Sequence, residues 1–254
     1  MSFRHPQILD IARAEGRVTV DGLAARLGVT VQTIRRDLGD LAAQGALTRV
    51  HGGAVLPSGV ANIGYGDRRA LAADAKEAIG RACATLIPDR ASVFLNIGTT
   101  TEAVARALRH RDGLMVVTNN LNVATTLAEG TAEVVVTGGT LRRADGGLTG
   151  GLAASAVDRF RTDVAVIGCS GVELGGDGRV DVLDFDPGEV EVAQAILRRA
   201  RRRILVADHL KVGRAVPVRI AGMDQVDVWV TDRAPPAALA AALATGGPEV
   251  IVAG

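Results

Sequence analysis

The chain has 254 residues, of which 48% are hydrophobic, 22% charged and 2% aromatic, and its formal net charge is +1. This near-neutral charge carries no global signal for nucleic acid, and no apolar stretch is long enough to predict a membrane span or a signal peptide. Because aromatic residues are so few, the core is expected to consist of Val, Leu, Ile and Ala, a composition that suits a parallel sheet covered by helices. The two cysteines, Cys83 and Cys169, lack metal-ligand spacing, so we expect no disulfide, no metal site and a reducing, cytoplasmic location.

Residues 1–57 are predicted to form a separate N-terminal domain. They carry seven basic against five acidic side chains, whereas the rest of the chain carries 22 basic against 23 acidic ones. The pattern predicts three short helices followed by a hairpin. The expected elements are a first helix around Ile8 to Ala12, a β-like run at 18–20, a second helix capped by Asp21, a third from Thr30 to about Gln44, and strands at 47–50 and 54–55 round a glycine-rich tip.

The third predicted helix has two contrasting faces. Val31, Ile34, Leu38 and Leu41 are spaced to form one apolar stripe, with polar side chains opposite. Arginine and glutamine side chains near a helix N-terminus can read base edges in the major groove, although the same pattern also fits the solvated face of a generic bundle. The candidate DNA-binding residues are Thr30, Gln32, Thr33, Arg35, Arg36, Arg49 and His51.

Residues 58–71 are rich in glycine and polar residues and are predicted to be a linker. From residue 72 to 254, buried apolar runs alternate with amphipathic segments, which predicts an α/β domain with a mainly parallel sheet. The expected strands are 93–97, 115–117, 134–136, 164–167, 204–207, 226–230 and 250–253. The expected helices are 72–87, 101–109, 121–129, 152–161, 188–202 and 235–245.

The segment SVFLNIGTTTEAVARAL, residues 92–108, predicts a strand, a tight turn at Gly98 and a helix. Thr99, Thr100 and Thr101 offer hydroxyl groups beside the free N–H groups of the helix start. Such a helix N-terminus favours an anion, most simply a phosphate group. Ordinary capping is the alternative explanation, because a threonine before a helix needs no ligand.

Further candidates for effector binding follow the other predicted strands, since ligands of open α/β sheets bind at the carboxyl ends of strands. Lys211 is one of only two lysines beside 27 arginines, which indicates a position where a compact charge is needed. An exposed loop lysine is the alternative. The candidates beyond the glycine–threonine turn are Asn119, Asn120, Gly138, Gly139, Ser170, Asp184, Glu189, Asp208 and Lys211.

Residues 18–55, VTVDGLAARLGVTVQTIRRDLGDLAAQGALTRVHGGAV, resemble the winged helix-turn-helix of the DeoR family of repressors. The resemblance continues through NIGTTTEAVARAL, VVTNNLNVATTL, GGTLRRADGGLTG and LVADHLKVGR, and so covers nearly the whole chain. It implies that residues 31–44 are the recognition helix and 47–55 the wing. It also implies a sensor domain similar to sugar-phosphate isomerases that has lost their chemistry.

The resemblance implies a repressor that binds operator DNA as a homo-dimer or homo-tetramer, has no catalytic residues or cofactor, and is released by a phosphorylated metabolite. Glycerol 3-phosphate is favoured over another sugar phosphate. The chain departs from the family at Glu191 and Ala193, where basic residues are usual. An active isomerase with a base at Asp184, Asp186 or Glu189 is the remaining alternative.

Overall fold

The computed structural model describes residues 4–15, 17–43, 46–50, 52–55, 65–214 and 216–254. By its contacts the chain divides into two compact units, residues 1–62 and 63–254. The predicted fold class, an N-terminal helix-turn-helix followed by a mainly parallel α/β domain, is confirmed.

The N-terminal unit contains three helices and a three-stranded antiparallel sheet in the order β1-β3-β2. Its elements are α1 (His5–Glu15), β1 (Arg17–Thr19), α2 (Val20–Leu27), α3 (Val31–Ala43), β2 (Thr48–Val50) and β3 (Gly53–Val55). The predicted β-like run is thus a third strand, which pairs with the wing. The expected cap of α2 was wrong: Thr19, not Asp21, accepts a hydrogen bond from the Gly22 N–H. Gln44, Gly45 and Pro57 lie outside the described residues.

The core of this unit is small and aliphatic. Ile8 of α1, Leu23 of α2 and Ile34 and Leu38 of α3 are almost fully buried against one another. Gly28 ends α2 with φ +65°, a left-handed conformation that suits glycine and turns the chain sharply into α3. The apolar stripe predicted for α3 therefore packs inward.

The C-terminal unit is built on a seven-stranded parallel sheet in the order β15-β14-β12-β9-β4-β5-β6. Its strands are β4 (Ser92–Leu95), β5 (Met115–Thr118), β6 (Glu133–Val136), β9 (Thr162–Ile167), β12 (Ala200–Val206), β14 (Val228–Thr231) and β15 (Glu249–Val252). All seven predicted strands are present. The flanking helices are α5 (Ala73–Thr85), α6 (Thr99–Leu108), α7 (Leu121–Ala128), α8 (Gly151–Val157), α9 (Pro187–Arg199) and α10 (Ala237–Leu243).

Two apolar layers cover the two faces of the sheet. Val93 and Leu95 pack with α5, α6 and α7, whereas Phe94 between them packs with α8 and α9. This alternation follows from the two-residue period of a strand, and because both faces are buried the strands have continuous apolar sequences.

The sequence did not predict the remaining elements. They are α4 (Tyr65–Ala70), the hairpin β7 (Thr140–Arg142) and β8 (Gly147–Thr149), an antiparallel sheet of β10 (Gly171–Leu174), β11 (Val180–Asp184) and β13 (Val218–Gly222), and two 3₁₀ helices at His209–Lys211 and Met223–Gln225. The segment predicted as a linker over 58–71 contains the helix α4. The helix expected over 188–202 gives way to β12 at Ala200.

Candidate functional sites

The outer face of α3 is the candidate nucleic-acid surface of the N-terminal unit. Thr30 begins the helix: its Oγ1 accepts a hydrogen bond from the Thr33 N–H at 3.2 Å and lies 2.9 Å from the Thr33 hydroxyl. Gln32, Arg35 and Arg36 are all exposed. Because α3 buries its apolar stripe, these long polar side chains point out to solvent with their hydrogen-bonding groups available.

Arg49 is also exposed, on β2 of the wing. Its guanidinium donates to the backbone carbonyl of Arg35 at 3.4 Å, a long hydrogen bond that places the wing arginine beside α3. His51 lies outside the described residues. Gly53 is needed for the wing, since a Cβ there would stand 2.0 Å from the Val18 carbonyl oxygen on β1.

Asp37, on the inner face of α3, was missed by the sequence analysis. It is buried, its Oδ2 accepts from the Arg4 Nε at 2.9 Å, and its Oδ1 lies 3.5 Å from the His5 Nε2. The signal was present in the sequence, because a carboxylate three residues after Ile34 falls on the apolar stripe. This ion pair joins α3 to the start of α1.

A cleft opens in the C-terminal unit at the carboxyl ends of the adjacent strands β4 and β9. The strands β5 and β6, which follow β4 in sequence, lie on one side of this pair in the sheet, and β12, β14 and β15, which follow β9, lie on the other. Such a reversal of strand order is where open α/β sheets bind ligands. The cleft has about 400 Å³ of empty space, part of it open to solvent. Its lining residues are Arg68, Ile97, Gly98, Thr99, Thr100, Gly168, Cys169, Ser170, Asp184, Glu189 and Lys211.

One part of this cleft is suited to an anion. Gly98 has φ +146° and provides no side-chain cap for α6, so the first N–H groups of that helix have no side chain of the N-cap as partner. The guanidinium of Arg68 and the ammonium of Lys211 line the same cleft. Free N–H groups, the positive end of a helix dipole and two cations together favour a phosphate group.

The other part of the cleft is acidic. The Ser170 hydroxyl donates to the Asp184 Oδ1 at 3.0 Å, and Glu189 is ion-paired with Arg142. Burial, followed by the charge of Asp184, raises the pKa of Glu189 to about 7, although Arg142 acts to lower it. Carboxylates beside a hydroxyl are hydrogen-bond acceptors for the hydroxyl groups of a ligand.

The remaining predicted effector residues are not among those that line the cleft. The Thr101 hydroxyl donates to the carbonyls of Asn96 and Gly98, both at 2.7 Å. Three of the others hold the surrounding backbone: Asn119 donates to the Leu148 carbonyl, Asn120 caps α7, and Asp208 caps the 3₁₀ helix at His209–Lys211.

Gly138 and Gly139 both have positive φ, +74° and +117°, at the end of β6. A Cβ at Gly139 would stand 2.9 Å from the Ala153 Cβ, so this glycine allows the chain to approach α8. Ala193, where the family resemblance leads one to expect a basic residue, is buried in the apolar core, and Glu191 is exposed. Gly139 and Ala193 thus have packing roles, whereas Gly138 contributes its positive φ to the turn.

Three charged residues around the cleft were not predicted from the sequence. Arg68 fell in the expected linker, and Arg142 and Asp145 lie on a hairpin that was not predicted. Only the arginine-rich composition of these stretches marked them, and arginine is frequent throughout the chain. Within the described residues, no cluster of three or more His, Cys, Asp or Glu side chains could hold a metal ion, and no helix is long and apolar enough to cross a membrane.

Comparison with known protein families gives two matches. Residues 4–60 match the DeoR-like helix-turn-helix domain, and residues 71–233 match the DeoR C terminal sensor domain. Together these matches cover both units of the structure.

Several curated proteins are similar over almost their whole length. The glycerol-3-phosphate regulon repressor of Escherichia coli (strain K12) is 41% identical over 92% of this chain and 91% of its own. The HTH-type transcriptional repressor CsqR of the same strain is 40% identical over 98% of this chain and 94% of its own. The HTH-type transcriptional repressor GlcR of Bacillus subtilis (strain 168) is 32% identical over 96% of this chain and 93% of its own.

Among solved structures the likenesses are more distant. Ribose 5-phosphate isomerase A from Methanocaldococcus jannaschii has a TM-score of 0.41 and 13% identity, covering 56% of this chain and 55% of its own. The beta subunit of eIF2B from Chaetomium thermophilum has a TM-score of 0.47 and 16% identity, covering 85% of this chain and 60% of its own. Both are too distant to indicate a function.

Proposed function

The chain belongs to the DeoR family of transcriptional repressors, which are regulators and not enzymes, and we propose that it represses a glycerol or carbohydrate catabolic operon until a phosphorylated metabolite releases it. Glycerol 3-phosphate is the favoured effector. Such a repressor acts in the cytoplasm on operator DNA. Because one recognition helix reads few base pairs, it acts as a homo-dimer or homo-tetramer on repeated half-sites.

The observation that carries the sensing part of this proposal is the composition of the cleft. An open helix N-terminus with Arg68 and Lys211 suits a phosphate group, and the carboxylates of Asp184 and Glu189 suit hydroxyl groups. A small phosphorylated polyol presents both kinds of group at once.

A different sugar phosphate is the second candidate effector. This second candidate is supported by the comparisons, because two repressors with different names are almost equally similar to this chain, at 41% and 40% identity. The same cleft would take the phosphate of either molecule, and the acidic part would select between their hydroxyl groups.

The test measures the affinity of the full-length protein for DNA from its own promoter by fluorescence anisotropy, with increasing glycerol 3-phosphate. We expect the DNA affinity to fall by about five-fold or more at saturation, the usual lower range for coupled sites. Glycerol without phosphate should have no effect, and a set of sugar phosphates gives the ranking. Unchanged DNA affinity with every phosphorylated ligand, at fixed salt concentration, would refute the proposal.

Two variants locate the site. Lys211→Gln removes a cation of the cleft and should weaken the effector's action without changing DNA affinity in its absence. Arg199→Gln is the matched control, because Arg199 is an exposed arginine on α9 that is paired with Asp158. Equal effects of the two substitutions would place the effector elsewhere.

A further inference from the structure

One buried carboxylate near the cleft is shared by two arginines from different elements. Asp145, between β7 and β8, is 4% exposed. Its Oδ2 accepts from the Arg68 Nη2 at 2.9 Å and from the Arg142 Nη2 at 2.5 Å, and its Oδ1 accepts from the Arg142 Nε at 2.9 Å. Burial opposes ionisation, but the hydrogen bonds of Arg142 and then Arg68 outweigh it and lower the pKa of Asp145. The carboxylate is therefore charged and holds both guanidinium groups.

The Arg68 side chain has contacts in two directions. It is paired with Asp145, and it also lines the cleft beside the N-terminus of α6. Its Nε is buried and has no hydrogen-bond partner among the residues that the structure describes. A phosphate in the cleft would offer that nitrogen an acceptor, and charged acceptors form the strong hydrogen bonds of arginine. The guanidinium is one rigid planar group, so its movement towards a phosphate would lengthen the hydrogen bond from its Nη2 to Asp145. Phosphate and Asp145 would compete for it in this way.

The helix that carries Arg68 is held by further polar contacts to the same region. The Tyr65 hydroxyl donates to the Glu102 Oε2 at 2.9 Å. The amide nitrogen of Asn122 donates to the Tyr65 hydroxyl at 3.0 Å and to the Asp145 carbonyl at 2.9 Å. At the other end of α4, the buried ammonium of Lys76 donates to the carbonyl of Arg68. The position of α4 thus depends on groups around Asp145.

Arg142 extends the connection to the acidic part of the cleft. Besides Asp145, it is paired with Glu189 and, at 3.2 Å, with Asp186 at the start of α9. Any movement of the Arg142 side chain therefore changes the charge balance of Asp145 and of the cleft carboxylate together. Buried ion pairs of this kind are costly to break on one side only, so the network is expected to change as a unit.

We propose that Asp145 is a positioning residue that couples the cleft to α4, and that effector phosphate acts by taking Arg68 from it. This rests on the proposed function, since it assigns a mechanism to the same cleft. In sequence, α4 is the first described helix after the DNA-binding unit. A ligand changes DNA affinity only if it binds two states of the protein unequally, and the two partners available to Arg68 define two such states.

The test uses Tyr65 as a probe, because it is the only tyrosine of the chain and lies on α4. Biosynthetic replacement by 3-fluorotyrosine gives a single fluorine resonance in the full-length protein. We expect glycerol 3-phosphate to shift that resonance in the wild type. In Asp145→Asn the resonance should already be displaced without ligand and should move little when ligand is added.

The functional readout is the ligand-dependent change in DNA affinity. For Asp145→Asn we expect it to fall below about two-fold, from about five-fold or more in the wild type, while the ligand still raises the melting temperature. Asp89→Asn is the matched control, since Asp89 is an exposed aspartate paired with Arg111. A merely structural role for Asp145 would lower stability without separating ligand binding from its effect on DNA.

Arg68→Gln provides a second variant if Asp145→Asn does not fold, because it removes the same ion pair from the α4 side. It should displace the Tyr65 resonance, and the double variant should show no larger displacement than either single one. A wild-type DNA response in either folded single variant overturns the proposal.

The two proposals fail differently. If no phosphorylated ligand acts on the wild type, the proposed function is wrong. The ligand-free spectra still test Asp145: a wild-type resonance in Asp145→Asn overturns its role, and a displaced one supports its hold on α4.

Discussion

The pH dependence of stability should change when Glu189 is replaced by glutamine. Glu189 is 8% exposed at the start of α9, and burial together with Asp184 raises its pKa from 4.5 to about 7 against the opposing effect of Arg142. Between those values the unfolded chain has released this proton and the folded chain has kept it. Folding therefore gains stability from Glu189 below pH 4.5 and loses that contribution as the pH rises through about 7.

The size of the effect follows from the shift. Each pH unit over which only the unfolded state has lost the proton lowers the free energy of unfolding by about 1.4 kcal/mol. Between about pH 5 and pH 8, the wild type should lose on the order of 2–3 kcal/mol through this group. Glu189→Gln keeps the shape of the side chain and cannot titrate, so its stability relative to the wild type should rise by that amount over the same interval.

The assay is urea unfolding of the full-length protein at a series of pH values. Fluorescence of Trp229, the only tryptophan, reports the C-terminal unit because this residue lies fully buried in β14. Glu77→Gln is the control for loss of one surface charge, since Glu77 is a half-buried glutamate near the surface that is paired with Arg106. Parallel curves of stability against pH for Glu189→Gln and the wild type would show that the reasoning about burial is wrong.

Three further substitutions test other parts of the molecule. Arg35→Ala should weaken binding to operator DNA by about 1–3 kcal/mol in an anisotropy titration, and an equal loss on random DNA would mean that Arg35 contacts only phosphates. Gly53→Ala places a Cβ 2.0 Å from the Val18 carbonyl oxygen and should abolish DNA binding. Glycerol 3-phosphate should still raise the melting temperature of this variant, and loss of both DNA binding and the thermal shift would contradict the independence of the two units. Trp229→Phe leaves the Ala207 carbonyl without its 3.2 Å hydrogen bond and leaves space unfilled, so unfolding monitored by circular dichroism should show a loss of about 2–4 kcal/mol, and a change below about 0.5 kcal/mol would count against this packing.

The parallel sheet was predictable because its strands are buried on both faces. Segments such as 164–167 and 204–207 are unbroken apolar runs, and the helices between them have regular amphipathic spacing. The end of α9 was not predictable, since Arg199 is followed directly by the extended residue Ala200 without glycine or proline. The point at which the helix ends and the strand begins is decided by the pairing of β12 with the neighbouring strand β9. The local sequence carries no information about that pairing.

The smaller elements were missed for a related reason. The helix α4, YGDRRA, is short, polar and contains Gly66, so its intrinsic helix propensity is low. Its position depends on contacts of Tyr65 and Arg68 with residues more than 30 positions away. Tertiary contacts override weak local preference here, and no pattern within the segment reveals them.

The candidate cleft was only partly predictable because strand order cannot be read from the sequence. The expectation that residues at strand ends meet held for the turn after β4 and for Ser170 after β9, because these two strands are neighbours. Asn119 and Gly139 follow β5 and β6, which lie further toward one edge of the sheet. Their ends therefore support the hairpin and α8 instead.

The charges of the cleft constrain how an effector can enter it. Arg68 is already neutralised by Asp145, and Glu189 and Asp184 repel a phosphate group, so the attraction of a dianion by Lys211 is strengthened when Arg68 is released or a carboxylate is protonated. Release of Arg68 from Asp145 frees a cation, and the raised pKa of Glu189 allows this carboxylate to be protonated near neutral pH. Cations that stayed unpaired in both states would bind phosphate more tightly, but their own contacts with phosphate would not distinguish the two states. The paired arginine therefore weakens effector binding, and the same pairing is what makes the binding able to regulate.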